Sequence, residues 1–325
     1  MTEFVLWFAY GFRAPNRHFA SDYRSGGMAL QSRSQPRYPK HFFAVFTVLS
    51  FVAVTSGCLA VALDGASVGL WLRNLAAWGV GAVVALVVFR FASPVFARVM
   101  IFAAPVGLLA SLTSPGQMSV HRWLDIGSVQ ANVAALLLPA FVVAMANFVH
   151  DARWIWLAYA VCAVVLILQP DASQATALAA AGLAIVARLP VACVIRIGAG
   201  TLVSCGAVVA WLRPDPLTPV AEVEGIIGLA YAISPLLAIM AVVALGGTIL
   251  EPMMIAVRPE LPAVRTAALT LSVYFVLSAL TPLFGAFPVP LVGISMSPVV
   301  GFWLGAGLLA AIGSWEKSTA DVSNA

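Results

Sequence analysis

Apolar residues run along this chain in long unbroken stretches, separated by short polar or proline-rich segments. They show neither the strict alternation of a half-buried strand nor the single stripe of a soluble helix. Ten such stretches stand out, near residues 41–63, 72–90, 95–113, 129–149, 154–169, 173–189, 191–212, 225–250, 266–285 and 298–315. Each is about long enough to cross a bilayer as a helix. Backbone amides in hydrocarbon must be paired internally, and runs rich in Gly and Pro without period-two alternation do not suit a barrel. The pattern therefore predicts an all-α polytopic membrane bundle of about ten transmembrane helices over residues 41–315.

The flanks differ. Residues 1–40 carry Arg13, Arg17, Arg24, Arg33, Arg37 and Lys40 among Ser, Gln, Pro and Gly, the composition of a basic, disordered cytoplasmic tail. Met28 offers an alternative start within it. Residues 316–325 form a short second tail. The first apolar run follows the basic flank like a signal peptide, and Ser56-Gly57-Cys58 imitates a lipoprotein cleavage site, but the later runs favour an uncleaved span.

Composition sharpens the class. Only 9% of the 325 residues are charged and 62% are hydrophobic, whereas about 25% are charged in a typical soluble protein. The four cysteines, Cys58, Cys162, Cys193 and Cys205, lie inside apolar runs without ligand spacing and read as small packing residues. A net charge of +4 suggests nucleic acid until the cations are placed on the spans. Most then fall in loops on one side, leaving only Arg73, Arg122 and Arg213 on the other. By the positive-inside rule both termini are cytoplasmic, and the outer loops hold Asp64, Asp125, Asp171, Asp215, Glu222 and Glu224. Arg196, slightly inside its span, reads as a cation snorkelling to the inner surface.

Candidate chemistry gathers on the outer side. His121-Arg122-Trp123-Leu124-Asp125-Ile126-Gly127 opens one helical pair and Gln169-Pro170-Asp171 follows it after a single hairpin, so Arg122, Asp125 and Asp171 share one face. Arg213 to Glu224 makes a third outer loop, and Phe287 to Pro298 a fourth, rich in Pro, Gly and Ser. Each residue also has a purely structural reading. Asp171 after Pro170 suits an N-cap, and Arg122 suits an ion pair with Asp125 or Asp171. Glu222 and Glu224 suit the dipole at a helix N-terminus, Ser295 and Ser297 suit a turn, and Trp123 suits the interface. No Walker, Rossmann, haem or zinc pattern occurs, so no cofactor is implied. A divalent cation assisting a diphosphate is compatible with the chemistry but not indicated by the sequence.

Three motifs in order carry a resemblance. Arg122-Trp123-Leu124-Asp125-Ile126-Gly127 with Gln130, then Leu168-Gln169-Pro170-Asp171, then Thr281-Pro282-Leu283-Phe284-Gly285 leading to Pro288-Val289-Pro290-Leu291, resemble the SEDS family of shape, elongation, division and sporulation proteins, of the FtsW and RodA type. The resemblance spans about residues 41–315. It implies a protein of the bacterial inner membrane that polymerises lipid-linked disaccharide-pentapeptide (lipid II) on the outer face, working with a class B penicillin-binding protein or another division protein.

The family's essential aspartate maps to Glu224, with Glu222 in place of a neighbouring histidine. Arg122, Asp125, Gln169, Asp171, Arg213, Ser295 and Ser297 are the expected substrate contacts. Departures are substantial. Gln130-Ala131-Asn132-Val133 lacks the family's glutamate, Ala172-Ser173-Gln174 replaces a Leu-Gly-Thr-like triplet, and the loop from Arg213 to Glu224 is short. These departures favour one alternative, a catalytically inactive SEDS-like partner that binds a lipid-linked precursor or division protein, and the Pro- and Gly-interrupted runs around Pro235, Gly246-Gly247 and Pro282 suggest another, a lipid flippase or transporter. The latter ordinarily needs intramembrane coupling charges, and the mid-span regions have almost none.

Overall fold

The computed structural model describes residues 38–127, 129–150, 154–258 and 262–323. The basic tail before residue 38 lies outside the described residues. Among them, eleven α-helices follow one another: α1 (Tyr38–Leu63), α2 (Val68–Phe91), α3 (Pro94–Ser111), α4 (Val133–Phe148), α5 (Ile155–Leu168), α6 (Ala172–Val186), α7 (Cys193–Trp211), α8 (Ile226–Ile233), α9 (Pro235–Ala256), α10 (Pro262–Leu280) and α11 (Met296–Ser323). A short hairpin, β1 (Trp123–Ile126) and β2 (Val129–Asn132), precedes α4, and a 3₁₀ turn, Thr281–Leu283, follows α10.

The polytopic helical bundle is as the apolar runs predict, with three changes. The fourth run does not begin its helix at 129, because Val129–Asn132 pair as a strand and Asn132 then caps α4, its side chain accepting from Ala135 N at 3.0 Å. The run over 225–250 is two helices. Ser234 is extended (φ −159°, ψ 122°) and Pro235 opens α9, a position where its missing N–H costs nothing. The last helix continues to Ser323 instead of ending near 315. Seven helices are long and apolar enough to cross a membrane, while α4, α5 and α6 have 16, 14 and 15 residues. At 1.5 Å per residue these three span only about 21–24 Å, less than a hydrocarbon core of about 30 Å.

The short helices are short because polar turns sink into the bundle above them. Gln169 and Asp171, between α5 and α6, are buried to 1% and 3% exposure. Around them α11 packs on α2 and α4, α10 on α4, α6 and α9, and α9 on α1. Glycine lets these backbones approach: a Cβ on Gly301 of α11 would lie 2.0 Å from the Ala135 carbonyl oxygen of α4. At the other extreme α7 buries only Val203 and Ala210 and stands at the periphery.

Candidate functional site

The hairpin sets the first functional side chain. β1 and β2 pair antiparallel from Trp123↔Asn132 to Ile126↔Val129, with Gly127 at φ 62° giving the sign of dihedral that tight hairpin turns need. Arg122 enters this ladder from below and its residue is 4% exposed. Its Nε donates to the Gln169 carbonyl (3.2 Å), and its Nη2 donates to the Pro170 carbonyl (2.6 Å) and to Asp215 Oδ2 (2.6 Å). Asp171 Oδ2 lies 3.8 Å from Arg122 Nε. A buried guanidinium needs this many oxygens, since an unpaired charge in such a place is not tolerated.

The Gln169-Pro170-Asp171 turn is built to receive it. Asp171 caps α6, accepting from Gln174 N at 3.1 Å, which leaves its other oxygen toward Arg122. Burial raises the Asp171 carboxyl above its ordinary value, against the lowering influence of Arg122 and the Gln174 N–H. Gln169 turns the other way: its Nε2 donates to Ser111 Oγ at 2.6 Å, tying the turn to α3.

Glu224 arrives from a different part of the chain. It lies in the turn before α8, where its Oε2 accepts from Val220 N at 2.7 Å. That turn is stitched to the proline-rich segment before α11: Val289 N donates to Val223 O (3.3 Å) and Ile294 N donates to Glu222 O (2.9 Å). The segment is held in turn by α2, as Asn74 Nδ2 donates to Gly293 O at 3.2 Å. Partial burial raises the Glu224 carboxyl; the Val220 N–H and Arg122 oppose the rise, and Asp215 adds to it.

One cavity of about 250 Å³ joins these pieces, and Arg122, Asp171, Gln174, Glu224, Ser278 and Ser295 all line it. Of the expected site residues, Glu224, Arg122, Asp171 and Ser295 therefore converge. The others do not line it. Asp125 is exposed on the hairpin, where its N–H donates to Ser114 Oγ (3.3 Å), so it is not the ion-pair partner of Arg122. Arg213 is exposed on the loop after α7, and Glu222 contributes its backbone carbonyl to the stitching. Ser297 is buried and its Oγ accepts from Asn132 N (2.9 Å), holding α11 to the end of the hairpin. Gln169 supports the floor from behind.

Three participants lie in the outer polar stretches of the sequence but are not among the expected contacts. Asp215, in Pro214-Asp215-Pro216, is the closest carboxylate to Arg122. Gln174 shows its side chain to the cavity while Tyr274 of α10 donates its hydroxyl to Gln174 Oε1, which leaves the amide nitrogen directed away from Tyr274. Ser173, hydrogen-bonded to Thr281 at 2.6 Å, completes this wall. The signal for the last two was present, since Ser173-Gln174 is where the chain departs from the Leu-Gly-Thr-like triplet with larger polar side chains.

No family model and no curated protein matches the sequence significantly. Solved structures do. The rod shape determining protein RodA of Thermus thermophilus superposes with a TM-score of 0.61 over 87% of this chain and 98% of its own, at 17% identity. A chain in a peptidoglycan synthase complex, described as coordinating polymerization and crosslinking, superposes with a TM-score of 0.57 over 83% of this chain and 96% of its own, at 18% identity. This chain has the SEDS fold. Within the SEDS fold, the cavity floor comes from the hairpin and the turn between α5 and α6, and the roof from the loops before α8 and α11. A variant of the same RodA in which an aspartate is replaced by alanine superposes equally, with a TM-score of 0.60.

Proposed function

We propose that the protein acts in bacterial cell-wall synthesis, extending glycan strands from lipid-linked disaccharide-pentapeptide at the outer face of the inner membrane, with Glu224 as the base. The observation that carries this reading is the convergence of Glu224, Arg122 and Asp171 on one cavity from three separate loops. In the step itself a sugar hydroxyl oxygen bonds to the anomeric carbon of the donor, the bond from that carbon to the diphosphate-lipid breaks with its electron pair, and the hydroxyl proton passes to Glu224. A raised carboxyl is a better proton acceptor than an ordinary glutamate. Arg122 would meet the departing diphosphate by exchanging Asp215 for phosphate oxygens. The neighbouring synthase complex supports a crosslinking partner for this chain, of the class B penicillin-binding type.

A second reading, a non-catalytic SEDS-like partner that binds a lipid-linked precursor or a division protein, is favoured by one feature. Arg122 already faces two carbonyls and two carboxylates, leaving little of it for a ligand.

Extension of labelled lipid II by the purified protein with its partner separates the two. Glu224→Gln, close in shape, is expected to lower the rate by about 100-fold or more while leaving the melting temperature within a few degrees, as loss of a general base does. Equal rates for wild type and variant would assign Glu224 to the turn alone. A second result is expected from pH. The base works only when deprotonated, so the rate should climb with pH through a midpoint above the ordinary glutamate value of about 4.3, and this acid limb should vanish from the residual activity of Glu224→Gln.

A further inference from the structure

A second cavity, distinct from the polar one, runs along the membrane-facing side of the bundle between α5, α6 and α7. It holds about 680 Å³ and is walled by apolar side chains, among them Trp154, Leu157 and Ile167 of the α5 segment and Leu189, Ile195 and Val209. It exists because α7 buries only Val203 and Ala210, and because the residues where α5 and α7 meet, Ala163 and Gly206, are small; a Cβ on Gly206 would meet Ala163 Cβ at 3.7 Å. On the topology given by the Lys and Arg bias, the end marked by Trp154, Leu189 and Val191 lies at the cytoplasmic surface. There the Arg196 Nη2 donates to the carbonyls of Leu189 (3.1 Å) and Val191 (3.5 Å), both of which line the groove. Its guanidinium is thus held beside that end of the groove. Arg196 is exposed and among the described residues it makes no ion pair, and exposed Arg188 stands on the same connection.

A cation with no ion-pair partner among the described residues, at the end of an apolar trough and at the depth of the inner headgroups, has the polarity of one ligand. We propose that this groove binds an anionic phospholipid of the inner leaflet, its phosphate on Arg196 and one acyl chain lying along α5 and α7. Basic pockets between transmembrane helices on the cytoplasmic side hold acidic headgroups in this manner, and a guanidinium matches phosphate through paired N–H donors. Trp154, 40% exposed and stacked on Phe102 at 4.6 Å, stands at the same level as an interfacial tryptophan. A zwitterionic lipid would gain the trough but less from the cation. The bound chain would brace α7, the least buried of the long helices.

Native mass spectrometry of the full chain in detergent, titrated with phosphatidylglycerol or phosphatidylcholine, tests this directly. Phosphatidylglycerol is expected to bind about five-fold more tightly or better, the scale of one basic residue at an acidic surface. Arg196→Gln should erase that preference, Arg196→Lys should keep part of it, and Gly206→Phe, which fills the trough, should weaken both lipids. Arg196 is exposed, so its variants are expected to fold, and a melting curve checks this. Equal affinity of the wild type for the two lipids, an undiminished preference in Arg196→Gln, or a dimer mass or a co-purifying helix in place of lipid would overturn the assignment.

Discussion

Arg122→Gln is expected to destabilise the folded protein by about 3–5 kcal/mol, the usual loss when one partner of a buried charge pair is removed. The size follows from what is left behind. Asp171 is 3% exposed and has no other cation close to it among the described ion pairs, and Asp215 loses its only such partner. The carbonyls of Gln169 and Pro170 lose their donors as well. Glutamine has two N–H bonds and a shorter reach, so it can replace at most a fraction of these contacts. Thermal and denaturant unfolding in detergent would measure the effect. Asp215→Asn in the same chain should return part of the loss, because it removes one of the stranded charges and the two sites are coupled. A shift below about 1 kcal/mol for Arg122→Gln would mean that the cavity floor is hydrated and the ion pairs count for little.

Gly57→Ala should cost about 3 kcal/mol and also disturb the site, though Gly57 lies on α1 far from any charged group in sequence. An added Cβ would sit 1.8 Å from the Val292 carbonyl oxygen, a backbone atom that cannot rotate away. Overpacking of a fitted interface costs about 1–3 kcal/mol, and a backbone clash belongs at the upper end. The loop carrying Val292 also carries Pro288, Pro290 and Ser295, which line the polar cavity, and bonds to the turn bearing Glu224. Pushing it outward should therefore lower lipid II extension more than the loss of folded protein explains. Specific activity per folded molecule, measured beside the melting curve, separates the two contributions; an unchanged specific activity would show that the loop is not tied to the site.

Much of the site was legible. Arg122 and Asp171 stood at the ends of one helical hairpin, and two crossings must return a chain to the side on which it began. Glu224 was reached only through the family resemblance, because acidic residues before a helix have an ordinary dipole explanation. Asp125 was misjudged as a possible partner of Arg122 because β1 was not foreseen. Arg122 stands just before the strand and is buried, whereas Asp125 lies within it on the exposed part of the hairpin and goes to solvent. Asp215 was placed among the outer acids but not paired with Arg122, because that pairing spans 93 residues and leaves no local trace.

The sequence by itself determined where the apolar segments are and which polar stretches lie between them, since both follow from the cost of placing charge or open backbone in hydrocarbon. It did not determine neighbours. Lipid is as apolar as the interior of the bundle, so a helix gains no hydrophobic advantage from one partner over another and carries no stripe to mark its buried face. Mean hydropathy is 1.6 for the most buried span, Met296–Trp315, and 1.8 for the most exposed, Cys193–Trp211, although 89% of the apolar stretch is buried in the first and 11% in the second. That choice was made by shape in the tertiary structure, where Gly57 and Gly301 admit a carbonyl oxygen and Arg122 finds four oxygens at once.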